Sequence, residues 1–270
     1  MTIRAFPKSM LLFGCGNMAG AMLRGWLAGG IEPGRFVVVK PSPDNLPGGV
    51  AHFGSASAAG GPYDTLIIGV KPQMLEPLAG EIRSLLAPGA LVISILGGVG
   101  SGSLARHFPD ARILRVMPNL AVALGKSPLG LFAKGLSDAE KSEAEGWLSA
   151  LGTPYWMAAE DDMHAFTAIA GCAPAYLYRF IDALARAGDQ LGIDPAQAET
   201  LAKEMAQGAA LLAARSEFTP SDLASRVASK GGSTAAGLAV MDEDEAILRL
   251  MEKTLRAARD RSVEQGKEAE

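Results

Sequence analysis

Glycines, lysines and hydroxyl residues are the chemically suggestive groups of this sequence, more than histidines or paired carboxylates. Gly14-Cys15-Gly16-Asn17-Met18-Ala19 follows directly on the apolar run Met10 to Phe13 and opens the helical pattern Met18, Met22, Trp26. In such a turn the first glycine permits the sharp reversal. The second lets backbone N–H groups approach a pyrophosphate at a helix N-terminus, and a small residue at the Ala19 position packs helix against strand. The competing reading is a glycine turn without a ligand, but the strand–turn–helix context favours a dinucleotide. Gly14, Gly16, Asn17 and Met18 are therefore expected to contact a cofactor.

Cofactor choice is read at the tip of the second strand, where an NAD-type site places Asp or Glu about 20 residues beyond the glycines. This chain has Lys40-Pro41-Ser42 there, with Asp44 two prolines later. A cation and a hydroxyl suit a 2′-phosphate, so Lys40 and Ser42 predict NADPH over NADH, against the alternative of a solvated lysine. Val70, Lys71 and Pro72 end another strand and Pro118-Asn119 ends a further one. These five are expected on the nicotinamide side, with Asn119 offering amide hydrogen bonds. Each has a structural alternative: Lys71 pairing with an acid such as Glu217, and plain strand-ending turn chemistry at Pro118-Asn119. His52, His107 and His164 show no ligand spacing, so no metal site is expected. Cys15 reads as a small filler of the phosphate turn, although a helix N-terminus can activate a thiol.

The elements that must position these residues follow from apolar patterning. Phe36 to Val39, Thr65 to Val70, Leu91 to Ile95 and Arg112 to Met117 join Met10 to Phe13 as five runs separated by helical segments. Continuous apolar strands of this kind imply a parallel sheet covered on both faces, a doubly wound α/β arrangement whose ligands sit beyond the carboxyl ends of the strands. The back of the chain is helical. Tyr176, Phe180, Leu184 and Leu191 form an apolar stripe on one helix, read as core. Asp194-Pro195 and Thr219-Pro220 start two more helices, the first running to about Arg215, and a last helix spans about Glu243 to Gln265, with a frayed tail from Lys267. Of 32 glycines, 24 lie in residues 1–154, and 13 of the 16 prolines fall there too. That asymmetry sets a boundary near residue 158, giving a nucleotide domain over 1–158 and a helical domain over 159–270.

Composition narrows the function classes. The 270 residues carry 25 Lys+Arg against 29 Asp+Glu, a net charge of -4, which argues against nucleic acid as the main partner. No apolar run reaches the roughly 18 residues of a membrane span. Two cysteines, Cys15 and Cys172, are too few for a disulfide framework, so a reducing cytoplasm is the expected compartment.

The order of motifs resembles the pyrroline-5-carboxylate reductase family over almost the whole chain. The matching pieces are Gly14-Cys-Gly-Asn-Met18, Val70-Lys71-Pro72-Gln73, Arg115-Val-Met-Pro-Asn119, Ala170-Gly-Cys-Ala-Pro-Ala-Tyr176 and Val227-Ala-Ser-Lys-Gly-Gly-Ser-Thr234. The resemblance implies an N-terminal Rossmann-like sheet domain and an all-α C-terminal dimerisation domain, with some members building rings of dimers. It also implies NAD(P)H-dependent reduction of the cyclic imine 1-pyrroline-5-carboxylate to L-proline. A small imino acid carries a carboxylate, so the turn at Lys230 opening a helix suits its capture: Ser229, Gly231, Gly232 and Ser233 are expected to hold the substrate. Thr234 is expected to contact the ring nitrogen as the catalytic hydroxyl, against the alternative that Ser233 or Thr234 merely caps the helix. Where the family usually shows serines, a glycine, Thr and Pro, this chain has Ala170, Cys172, Ala173, Ala228 and Lys230. Those departures leave two alternatives open, a reductase of a related cyclic imine or ketone, and a nucleotide-binding paralogue without turnover.

Overall fold

The computed structural model describes residues 6–268, so Ala269 and Glu270, the end of the expected frayed tail, lie outside the described residues. Two compact units emerge, one of residues up to Cys172 together with the segment from Ala258 onward, the other Ala173–Ala257.

The first unit is built on a sheet of eight strands: β1 Met10–Phe13, β2 Phe36–Val39, β3 Ala51–Phe53, β4 Tyr63–Ile68, β5 Leu86–Ser94, β6 Arg112–Met117, β7 Ser127–Lys134 and β8 Gly152–Trp156. Their order is β3-β2-β1-β4-β5-β6-β7-β8. Neighbours are parallel except β6 and β7, which run antiparallel, so the expectation of a wholly parallel sheet needs that correction. Five helices lie between the strands: α1 Asn17–Ala28, α2 Ala56–Ala59, α3 Leu75–Ser84, α4 Ser101–His107 and α5 Asp138–Leu148. After β8 come α6 Asp162–Phe166 and a π-helical turn, Thr167–Gly171.

Strand side chains alternate between two cores, as the period of two requires. Met10, Leu12, Ile67 and Leu114 join a cluster with Trp26 and Trp147 on one face. Leu11, Phe13, Leu66, Ile68 and Ile113 join the other. The strands β1, β4 and β6 are thus buried on both sides, which is why their sequences read as continuously apolar. The indole Nε1 of Trp26 is satisfied by the Trp147 carbonyl at 3.0 Å. A buried bond of this kind contributes about 1 kcal/mol, and leaving the donor unpaired would cost more.

The second unit consists of α7 Ala173–Gln190, α8 Pro195–Arg215, α9 Pro220–Val227, α10 Ser233–Asp242 and the first half of α11 Ala246–Glu268. Asp194 caps α8 and Thr219 caps α9 through a capping box with Asp222, each followed by proline at the first helical position. The helices α7 and α8 pack together through small residues: a Cβ on Gly188 would lie 3.3 Å from the Ala198 Cβ, and Ala198 and Ala202 are buried. The larger apolar side chains are not covered within this chain. Tyr178, Leu184, Leu212 and Leu250 are 62%, 40%, 64% and 59% exposed. The stripe read as core is therefore largely an open apolar face, with Tyr176 only partly buried. The last helix also continues past the expected start of the tail, to Glu268.

The compact units divide at Cys172, later than the boundary near residue 158. Residues after β8 stay with the sheet: Phe166 lies against Gly130, where a Cβ would meet its ring at 2.5 Å, and the Ala170 carbonyl accepts from Asn119.

On α5, the Ser137 hydroxyl and N–H both donate to the Glu140 carboxylate, which also pairs with Arg112. The hydrogen bonds from Ser137, then the Arg112 charge, pull the Glu140 carboxyl from 4.5 down to about 2. A depressed carboxylate stabilises the fold fully above its unfolded value and loses that contribution as pH falls through the folded one. The Tm difference between the wild type and Glu140→Gln should be constant above pH 4.5 and shrink towards pH 2. A gap that stays flat or widens on acidification would contradict the assignment.

Candidate nucleotide and carboxylate sites

The sheet reverses its order between β1 and β4, so the crevice beyond their carboxyl ends is the expected ligand position of a doubly wound fold. Two glycines meet there. Gly14 has φ +83°, and a Cβ on it would lie 2.8 Å from the Gly69 carbonyl carbon. A Cβ on Gly69 would lie 2.3 Å from the Gly14 oxygen and 2.8 Å from the Ala19 Cβ. The Gly14 N–H donates to the Val39 carbonyl and the Gly69 N–H to that of Phe13, both at 2.8 Å. This seam fixes where α1 begins.

The helix begins open. Gly16 is its N-cap, no side chain caps it, and Gly16 and Asn17 are exposed. A Cβ on Gly16 would meet nothing within 4 Å. Free N–H groups, the positive end of the helix dipole and empty space above them form a fitting cradle for a pyrophosphate. Met18 sits partly buried behind the turn and Ala19 is buried against the sheet, as the motif requires. Cys15 is not activated: burial outweighs the opposing charges of Lys40 and Arg24 and raises its pKa.

At the tip of β2, the Lys40 ammonium donates to the Asp44 carbonyl at 2.8 Å, and the Ser42 hydroxyl donates to the Asp44 carboxylate. The tip therefore carries a carboxylate after all, folded back over two prolines, beside the cation and hydroxyl. Lys40 keeps two further donors for an anion.

Beyond β4, Val70 is partly buried, and Lys71 and Pro72 are exposed at a 3-10 turn, Pro72–Met74, for which Lys71 is the N-cap. Among the described residues of its own unit Lys71 makes no ion pair; Glu217 belongs to the other unit.

Beyond β6 a strand-ending role is visible. Pro118 and Asn119 are buried. The Asn119 Nδ2 donates to the Ala170 carbonyl and its Oδ1 accepts from the Ala121 N–H, both at 2.9 Å. The amide is a strut between β6 and the π-helical turn, and its second N–H and second oxygen lone pair take no part in that strut.

The helical unit carries the second open helix start. Gly231 has φ +76°, and Gly232 is the N-cap of α10, its N–H donating to the Ser229 carbonyl at 2.9 Å. A Cβ on Gly232 would lie 2.5 Å from the Ser229 Oγ. Neither Ser233 nor Thr234 caps the helix, which removes the capping alternative; both side chains are exposed at its first two positions. Among the described residues, no group of three or more His, Cys, Asp or Glu is arranged to hold a metal ion.

One group escaped the sequence reading. Glu160, just before α6, accepts from the Ser101 N–H and hydroxyl at 2.5 Å each and from Arg115 at 2.7 Å. Burial opposes its charge, but the bonds from Ser101 and Arg115 outweigh that and hold the carboxyl below its usual range.

Comparison with known proteins now adds to this geometry. Residues 160–265 match the family model described as pyrroline-5-carboxylate reductase dimerisation, and residues 9–98 match one described as NADP oxidoreductase, coenzyme F420-dependent. A pyrroline-5-carboxylate reductase of Haemophilus influenzae is 32% identical over 95% of this chain and 97% of its own length. The chain belongs to the pyrroline-5-carboxylate reductase family. The Escherichia coli member is 31% identical, with 92% of this chain and 97% of the relative covered. Among solved structures, the Coxiella burnetii reductase superposes with a TM-score of 0.86 at 30% identity, covering 96% of this chain and 99% of its own. The Plasmodium falciparum pyrroline carboxylate reductase, solved with NADP bound, has a TM-score of 0.85 at 26% identity, covering 96% and 98%. The motifs at Gly14 and Lys230 are thus those of a reductase family, standing on that family's fold.

Gly16→Ala separates a ligand-binding turn from a merely structural one. Its φ of -78° suits alanine and the space is open, so Tm should stay within about 1–2 °C, while NADP+ affinity, read by fluorescence titration, should fall ten-fold or more. Unchanged affinity would mean that nothing approaches the α1 N-terminus.

Proposed function

We propose that the chain reduces 1-pyrroline-5-carboxylate to L-proline with NADPH, as a homodimer, in the cytoplasm. The observation that carries this reading is the pair of glycine-opened, uncapped helix N-termini, at α1 and α10, in a chain of this family. The nicotinamide, when bound, supplies the hydride that adds to the imine carbon while the C=N electron pair moves to nitrogen.

The chain's own groups do the holding. The N–H groups at Gly16, Asn17 and Met18 receive the pyrophosphate, with Gly14 shaping the turn. Lys40 receives the 2′-phosphate, joined by Ser42 once its hydroxyl turns from Asp44, and Val70, Lys71 and Pro72 border the cofactor beyond β4. On the helical unit, the turn from Ser229 through Gly231, Gly232 and Ser233 offers backbone donors and hydroxyls to the substrate carboxylate. Thr234 places a hydroxyl free of any hydrogen bond among the described residues for the ring nitrogen. Among the described residues no His–carboxylate pair stands at these motifs, so the substrate enters as its iminium and needs orientation more than a strong acid. Holding reactants in place contributes much of the rate in such a reaction.

Dimerisation is supported by the uncovered apolar faces of α7, α8 and α11 and by the match to a dimerisation family model. Exposed apolar area on this scale favours association; a ring of dimers is the further assembly we infer from the family. For the compartment, both cysteines are free, as suits a reducing cytoplasm, and no described helix is long and apolar enough to cross a membrane.

The test is NADPH oxidation followed at the nicotinamide absorbance with 1-pyrroline-5-carboxylate, other cyclic imines and ketones as substrates. Proline should form in equal amount to NADPH consumed, with higher kcat/KM for NADPH than for NADH. Thr234→Ala should lower kcat/KM ten-fold or more. NADPH binding without turnover of any substrate would overturn the assignment.

A further inference from the structure

With pyrophosphate at α1 and adenosine towards β2, the nicotinamide half of the cofactor falls to the loops after β4 and β5. The loop after β5, residues 95–100, contains Gly97 and Gly98, the latter at φ +76°. Two successive glycines leave such a loop many conformations, so something else must hold it.

Glu160 holds one end of it directly and braces the strand beside the other. At the far end it binds Ser101, the first residue of α4, through N–H and hydroxyl; no side chain of the Gly100 N-cap does this work. At the near end it binds Arg115, which is buried and pairs in register with Ser94, the last residue of β5. The same short segment holds the cover of the loop. His164 Nδ1 lies 2.9 Å from the Ser262 hydroxyl, and a Cβ on Gly98 would sit 2.7 Å from the Gln265 Cβ of the same terminal stretch of α11. All of these residues belong to the sheet unit.

We propose that Glu160 is a positioning residue for hydride transfer: by clamping Ser101 and Arg115 it sets the 95–100 loop against the nicotinamide. It does not touch the cofactor; it acts through the loop. The inference rests on the reductase reading, with NADPH in the α1 crevice.

Glu160→Gln keeps the size of the side chain but loses the charge facing Arg115 and one acceptor for Ser101. The experiment compares it with wild type and with Ser101→Ala, which removes only the hydroxyl bond and keeps the test alive should Glu160→Gln fail to fold. Three quantities are read: the Kd for NADPH, the fluorescence emission of the bound nicotinamide, and kcat at a temperature well below each Tm. Glu160→Gln should bind NADPH within three-fold of wild type, show nicotinamide emission shifted towards that of the free cofactor, and lose ten-fold or more in kcat. Ser101→Ala should change in the same direction by a smaller factor. Emission and kcat unchanged in both variants, with only Tm lowered, would reduce Glu160 to a structural role and overturn the proposal. Wild type that neither binds NADPH nor turns over would instead refute the reductase reading itself.

Discussion

Backbone meets backbone where β1 and β4 end, and this contact constrains the rest of the sheet unit. Gly14 and Gly69 approach so closely that neither can carry a Cβ: the added atom would come within 2.8 Å or less of the other residue's backbone. Because the two strands are parallel neighbours at the point of order reversal, their ends define the crevice. The seam dictates where the chain turns into α1, and so where three unpaired N–H groups and a helix dipole point. Ala19, one turn into the helix, is small for the same reason, since Gly69 sits directly beneath it. The result is an open helix start made mainly of backbone, the geometry that an anion site needs.

The helical unit obeys a different constraint. Its helices are alanine-rich, and α8 and α9 are capped, yet only Ala198 and Ala202 among its apolar residues are buried. Small residues let α7 and α8 come close, which leaves little room between them for large side chains to hide. Leu212 and Tyr178 therefore face outwards, and Leu250 on α11 is exposed too. A unit with so little core of its own gains its hydrophobic stabilisation by association, at roughly 25 cal/mol per Å² of apolar surface removed from water. The division between a glycine-rich front and a helical back in the sequence is thus also a division between a unit with two buried cores and one whose apolar faces are open.

Much of this was legible in the residues. All five strands read as continuous apolar runs exist, because burial on both faces leaves no polar alternation to obscure them. The three others hid for identifiable reasons. β3 is Ala51-His52-Phe53, too short and too exposed to stand out, while β7 contains Pro128 and Gly130 and β8 contains Pro154. Such breakers belong on strands near a sheet edge, where sequence patterning is weakest. Both glycine-opened helix starts were visible because a strand or a capped helix precedes each. The strut made by Asn119 was not legible because its partner, Ala170, is 51 residues away, and Glu160 was overlooked because Ser101 is 59 residues away. Asp44 was discounted for the prolines around it, yet those prolines turn its carboxylate back onto Ser42. Local chemistry is written locally, whereas the struts and clamps that hold it are made by pairs that only the fold brings together.

A crystal structure of the full chain with NADP+ bound tests the central claim most directly, because it locates each phosphate. The account predicts the pyrophosphate on the N–H groups of Gly16, Asn17 and Met18, the 2′-phosphate beside Lys40, and Gly14 still closed against Gly69. A pyrophosphate bound away from this turn, or a seam opened to admit it, would contradict the account.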